Sequence, residues 1–342
     1  MGGMNARLIA DRLTALGLAV RSHLLSHRDA ERDAEAIGFV GGDTIFAIDR
    51  KVEPLLVREL KVWSEEIGPL VVVAEGFGED GTVAFGPHGA NPQLRLLIDP
   101  IDGTRCLMYD KRSAWFLAAA APDRGSATRL VDAVASVMVE LPTSKQRWAD
   151  HVAFAKGEPL LAQRVDIETG ETTPLDPRPS RMATLLNGYG QVSNFFPGTK
   201  ELASELMERI ATAVVGTVQP GMASIFEDQY TSTGGQFVEL LFARDRFCCD
   251  LRPIFYDILE HRSGRPVSRG IACHPYDIAG LPAAMAGGVI ITDAFGAALD
   301  AEFSVSAPVH WCGYANESLR REIEPAIREF IREHLGHQCC AA

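Results

Sequence analysis

The segment that most constrains this chain is the apolar run Leu96-Leu97-Ile98 followed at once by Asp99-Pro100-Ile101-Asp102-Gly103-Thr104. The run reads as a buried strand, and the acids after it fall on the turn that closes it. Two carboxylates three residues apart on such a turn can converge on one hard cation. Behind them, Gly103 and Thr104 offer backbone N–H groups and a hydroxyl where a phosphate fits against that cation. The pattern reads as a metal-dependent phosphate site.

Mg²⁺ prefers a nearly octahedral set of oxygens, so a site of this kind draws acids from separate segments around shared ions. Glu75, Asp99, Asp102 and Asp277 are the candidates, each at the end of an element. Leu70 to Ala74 reads as a short buried strand ending at Glu75, and Leu94 to Ile98 as another ending at Asp99. Asp277 leads Asp277-Ile278-Ala279-Gly280, where small residues let the backbone come close. Taken singly, each acid has a plainer reading: Asp102 and Asp277 as helix caps, Glu75 as a solvated turn residue.

The charge balance narrows the partners. With 33 Lys plus Arg against 45 Asp plus Glu, the formal net charge of -12 repels a nucleic-acid backbone. Metal ions between its acids and a substrate still let such a chain hold a phosphate. At 342 residues and 46% hydrophobic, it has room for one large core or two moderate ones. Two domains are expected: 1–180, carrying Asp49, Glu75 and the hexapeptide, and 181–342, carrying Asp277 and the substrate-side wall. The boundary near Arg181 follows a Pro-, Thr- and charge-rich stretch from Glu158 that reads as a surface loop or domain join. The cysteines are seven, with no Cys-x-x-Cys spacing, which suits a reduced, cytoplasmic protein. Met1 to Arg12 lacks the unbroken apolar stretch of a signal peptide or membrane span. The ending Cys339-Cys340-Ala341-Ala342 formally fits a prenylation box, but no polybasic run precedes it, so no membrane partner is expected.

Apolar residues at spacings of three and four predict a helix from Asn5 to about Ile37. Gly41-Gly42 breaks that pattern, Thr44 to Ile48 looks extended, and Val52, Leu55, Leu56 and Leu60 resume a helical stripe just after Asp49. Asp49 is thereby placed at a strand-to-helix junction. Further on, helices are expected over Thr199 to Val214 and over Asp277 to Ala286, with an apolar element between them from Gly234 to Phe242. The last of these helices, capped by Asp277, leads through Gly287-Gly288 into the strand Val289-Ile290-Ile291. Interleaved helices and strands make the chain α/β or a segregated α+β. The run Gly76-Phe77-Gly78-Glu79-Asp80-Gly81 matches the dinucleotide-binding glycine pattern, but β-branched Thr82-Val83 stands where a helix must open. It reads as a glycine-rich turn, and a nicotinamide-dependent oxidoreductase rests on nothing else.

In order along the chain, these motifs resemble those of the inositol monophosphatase and fructose-1,6-bisphosphatase superfamily of Mg²⁺-dependent phosphatases. The resemblance runs from about Asp43 to Ala298. Asp99 to Thr104 is its strongest element, and Tyr276 to Gly280 with Gly287 to Asp293 looks like the C-terminal motif; Asp49 to Glu53 and Ala74-Glu75 match more weakly. The resemblance implies a layered αβαβα sandwich of the sugar-phosphatase type, and hydrolysis of phosphomonoesters by metal-activated water. It implies Glu75, Asp99, Asp102, Asp277 and the Ile101 carbonyl as ligands of two or three Mg²⁺ ions, with Mn²⁺ able to substitute. Asp49 and Thr104 orient the attacking water, Gly103 and Thr104 receive the phosphate, and a homodimer is plausible.

Departures from the pattern bear on the substrate. Arg105-Cys106 follow Thr104 where a small polar residue and Asn are usual, Gly76 replaces a second acid, and Tyr276 stands where Trp is common. No acid lies in Ser268 to Cys273, where inositol monophosphatases carry one that contacts the inositol ring. Arg105 can clamp a second phosphate or a carboxylate on the substrate, or pair with a neighbouring acid instead. Ser232-Thr233-Gly234-Gly235 resembles a small-residue stretch at the family's substrate pocket, while His274, Arg269 and Lys111 read as ordinary surface residues. The expectation is a Mg²⁺-dependent phosphatase of a small sugar phosphate, polyol phosphate or bisphosphate. The alternative is a silent relative that binds such a metabolite without turnover.

Overall fold

The computed structural model describes residues 5–27, 35–40, 43–78 and 80–336. Gly41-Gly42, Glu79 and the terminal Cys339-Cys340 lie outside the described residues. Fifteen strands and eight helices are formed among them. The strands are β1 (Ala36–Val40), β2 (Asp43–Phe46), β3 (Leu70–Ala74), β4 (Thr82–Phe85), β5 (Leu94–Asp102), β6 (Ala114–Pro122), β7 (Ala135–Leu141), β8 (Trp148–Ala155), β9 (Leu161–Asp166), β10 (Thr172–Pro174), β11 (Gly188–Val192), β12 (Ile225–Phe226), β13 (Asp245–Asp250), β14 (Ile290–Thr292) and β15 (Trp311–Tyr314). The helices are α1 (Ala6–Ser26), α2 (Ala47–Ile67), α3 (Thr104–Met108), α4 (Lys200–Val215), α5 (Thr233–Leu241), α6 (Arg252–Ser263), α7 (Leu281–Ala286) and α8 (Glu317–Leu335).

An eight-stranded sheet runs β10-β9-β8-β7-β6-β5-β3-β4, and a five-stranded sheet runs β12-β11-β13-β15-β14. Period-two alternation explains the layers. On β5 and β6, Leu96, Ile98, Phe116 and Ala118 join the core beneath α1 and α2, whereas Leu97, Trp115, Leu117 and Ala119 face the opposite way. That second face packs on α5 and α7, which also touch the smaller sheet. The far side of the smaller sheet is covered by α4, α6 and α8. The result is the expected αβαβα sandwich.

Several local expectations are corrected. Helix α1 stops at Ser26, after the last stripe residues Leu24 and Leu25, and residues 36–37 belong to β1. Ala47 and Ile48 are helical, which puts Asp49 in the first turn of α2, where its carboxylate accepts from the Phe46 N–H. The stretch after Glu158 is a loop only in part: β9 and β10 pair as a hairpin at the sheet edge, where the proline ending β10 is tolerated. Residues 277–280 form turns, and α7 starts only at Leu281. The glycine-rich run does lead into a strand, β4, which pairs with β3.

Helix α1 is pinned to the large sheet by buried Arg21, whose guanidinium donates to the carbonyls of Glu140 and Asp150 on β7 and β8. Beside it, His151 is buried, and burial first, then the Arg21 charge, pushes its pKa down to about 4 from 6.5. As pH falls through 6.5 the unfolded chain takes up a proton that the folded chain refuses until about pH 4. Stability is therefore lost across that window, by about 3 kcal/mol at its foot. Thermal melts from pH 7 to 4 should fall less steeply in His151→Gln than in the wild type; equal slopes would show that His151 does not carry the effect.

Candidate metal centre

The bulge in β5 builds the site. In a regular strand, residues three apart point to opposite faces. Asp99 pairs with Leu117 and Asp102 with Trp115, so three steps on β5 match two on β6, and one extra residue restores the parity. Both carboxylates therefore emerge on the face that carries Leu97, Trp115 and Leu117, the one that meets the middle layer. Asp277, from the turn before α7, completes the group: ligand oxygens of Asp99, Asp102 and Asp277 all lie within 4.8 Å of one another. Asp277 is no helix cap, since its Oδ2 accepts from the His274 N–H at 2.6 Å and closes the turn.

Asp102 does not cap α3 either. Its Oδ2 accepts from the Ser232 hydroxyl (2.7 Å) and the Gly234 N–H (2.6 Å), and its Oδ1 from the Thr233 N–H (3.2 Å), all at the start of α5. That approach needs glycine on both sides. A Cβ on Gly103, whose φ is +89, would lie 2.8 Å from the Ser232 Cβ, and one on Gly234 would lie 2.4 Å from Leu117 Cδ2.

Asp99 and Asp102 are 4% and 5% exposed, and among the described residues neither has a cationic side chain in salt-bridge contact. Burial, followed by the charges of Asp102, Asp277 and Glu75, holds the Asp99 carboxyl well above the usual range. Burial and then Asp277 push Asp102 up to about 7, although its hydrogen bonds act in the opposite sense. Buried carboxylates crowded without a counter-charge are what a divalent cation stabilises, and an all-oxygen set suits a hard ion. The residues present therefore fit the expected ion.

Thr104 opens α3 beside this group. Its hydroxyl lies 2.9 Å from the Ile101 carbonyl and 3.3 Å from Asp49 Oδ1, so its single proton can turn to either. The remaining predicted residues stand around two adjoining cavities of about 120 and 240 Å³. Glu75, Asp99, Ile101, Thr104 and Arg105 line both. Glu75 is exposed at the end of β3 and stands apart from the tight group of three aspartates. Arg105 is half-buried, with its guanidinium 5.2 Å from the Phe46 ring centre.

Of the weaker candidates, Ser232, Thr233 and Gly234 prove to be the cradle of Asp102. Arg269 is tied to Asp257 and Glu260 on α6, and Lys111 lines a separate groove. His274 stacks on Tyr276 with ring centres 5.5 Å apart. Reasoning from sequence missed Phe195, Phe196 and Arg252, which line the smaller cavity with the three aspartates.

The large and small sheets, their three helical layers and the bulged strand can be set against solved structures. The chain superposes on the extragenic suppressor protein SuhB of Bartonella henselae with a TM-score of 0.60 at 14% identity, covering 94% of this chain and 99% of that one. It has the inositol monophosphatase fold. Fructose-1,6-bisphosphatase of Leishmania major gives a TM-score of 0.60 at 13% identity over 94% and 92% of the two chains. The inositol monophosphatase of Thermotoga maritima gives 0.57 at 16% over 96% and 98%. No family model matches the chain, and no curated protein matches it in sequence. At such identities the inositol monophosphatase fold is what the likeness establishes. No described helix is long and apolar enough to cross a membrane.

Proposed function

We propose that this protein is a divalent-cation-dependent phosphomonoesterase acting on a small phosphorylated metabolite. The observation that carries the reading is the close group Asp99, Asp102 and Asp277, of which Asp99 and Asp102 are buried without a cationic partner among the described residues, beside the Thr104–Asp49 pair. Asp99, Asp102, Asp277 and the Ile101 carbonyl would hold Mg²⁺, with Glu75 reaching in from the rim. When bound, the ion supplies a Lewis acid that activates water and offsets charge on the phosphoryl oxygens.

The chain's own residues divide the rest of the work. Thr104 turns its proton toward Asp49 Oδ1, which leaves a hydroxyl lone pair to accept from the attacking water and fix its direction. Asp49 then takes the proton released along this path. Its Oδ2 accepts from the Phe46 N–H at 3.0 Å, which keeps the carboxylate aimed at Thr104. The start of α5 holds Asp102 by three hydrogen bonds, so the ion's seat does not reorganise as charge develops. Arg105, braced on Phe46, contributes a positive charge to the lining of both cavities for a further anionic group of the substrate.

Phosphate release from sugar phosphates, inositol phosphates and adenosine 3′,5′-bisphosphate, with Mg²⁺ and with chelator, tests the proposal. Metal-dependent release from at least one ester is expected. No release from any of them overturns it; binding without turnover would leave the silent, metabolite-binding reading in its place.

A further inference from the structure

The lining of the smaller cavity combines the three aspartates, Thr104 and Arg105 with an apolar wall of Phe195, Phe196, Ile271 and Ala272. The two phenylalanines are half-buried and set edge to face, with ring centres 6.0 Å apart and planes at 82°. Arg252 fixes them: its guanidinium lies 5.3 Å from one ring centre and 5.4 Å from the other. Arg252 is itself buried and ion-paired. Its Nε and Nη2 donate to the Asp250 carboxylate, and its Nη1 donates to the Ile271 carbonyl at 3.0 Å.

Three of the hydroxyls lining this cavity are engaged by the protein itself. Ser232 donates to Asp102, Thr231 Oγ1 lies 2.9 Å from Cys106 Sγ, and the Thr233 hydroxyl faces Cys273 Sγ. Ile271 and Ala272 extend the apolar lining beside the two rings. A polyhydroxylated alcohol would leave water there for a wall with few groups to replace its hydrogen bonds, which disfavours it. A flat apolar ring meets the two phenylalanines in edge and face geometries that aromatic groups favour.

We infer that Phe195 and Phe196 are specificity-determining residues that take the alcohol half of the ester as an aromatic ring, with Arg252 as their positioning residue. The substrate class is an ester whose phosphate lies at the aspartates and whose ring lies on this wall. This rests on the phosphate-site reading above, and phosphonates separate the two because they bind without being cleaved.

The test is calorimetric titration of the full chain, with Mg²⁺ present, by phenylphosphonate and by methylphosphonate. Wild type should bind the phenyl compound about tenfold more tightly, the ratio expected of one good aromatic contact. Phe195→Ala and Phe196→Ala should bring the ratio to within about twofold while the methylphosphonate Kd stays unchanged, and Arg252→Lys should lower the ratio in the same way. Circular dichroism confirms that each variant is folded, and the phenylalanine variants decide the matter if Arg252→Lys is not. Equal affinities in the wild type, or a ratio that survives both phenylalanine substitutions, overturn the inference alone. Failure of both phosphonates to bind overturns the phosphate-site reading and the inference with it.

Discussion

Asp99→Asn should abolish metal-dependent phosphate release, a fall of about a thousandfold or more, and yet raise the melting temperature in chelator. The two effects have one cause. Asp99 is buried against Asp102, Asp277 and Glu75, and burial and those charges hold its carboxyl well above the ordinary range. A folded-state pKa above the unfolded one means that ionisation opposes folding, so the ionised cluster costs stability at neutral pH. Asparagine keeps the oxygen that accepts from the Ile101 N–H and removes one of the repelling charges. It also removes an anionic oxygen from the ion's seat. Loss of a single preorganised donor costs 10²–10³ in rate in other hydrolases, and losing a ligand should cost at least as much. Adding Mg²⁺ should raise the wild-type melting temperature, because binding to the folded state stabilises it by mass action, and should raise that of the variant far less. Activity within tenfold of wild type, or a variant that melts lower in chelator, would show that the acids are not a cation seat.

What the sequence made legible was the identity of the acids and the order of the layers. The hexapeptide named Asp99 and Asp102, but their odd spacing puts them on opposite faces of a regular strand, and only pairing with β6 reveals the bulge that reunites them. Asp277 was legible as a residue and misread as a cap, because a carboxylate before small residues looks the same whether it caps a helix or closes a turn on His274. The aromatic wall left no signal. Phe195-Phe196 lie outside any strand or helix, and what joins them to the cleft is Arg252, more than fifty residues on, oriented by Asp250 at the end of β13. Such contacts are set by how the smaller sheet meets the middle layer, and a linear pattern does not encode them. The cradle of Asp102 lay between these cases: its small residues could be read, and their partner could not.

The second large effect concerns the proton path. Asp49→Asn and Thr104→Val should each lower kcat by about 10²–10⁴, the range of a lost general base or its relay, with much smaller changes in KM. The structure couples the two residues through one hydrogen bond of 3.3 Å, and Thr104 shares its proton with the Ile101 carbonyl at 2.9 Å. Residues that act as a unit do not lose activity additively, so the double variant should be no slower than the worse single one. Asparagine retains an oxygen for the Phe46 N–H, so the first turn of α2 should hold and the loss at Asp49 should not reflect unfolding. Thr104→Ser restores the hydroxyl and should recover most of the rate, whereas a helix-start role alone would be met equally well by valine. Losses that add in the double variant, or that appear in KM alone, would place the base elsewhere in the cavity.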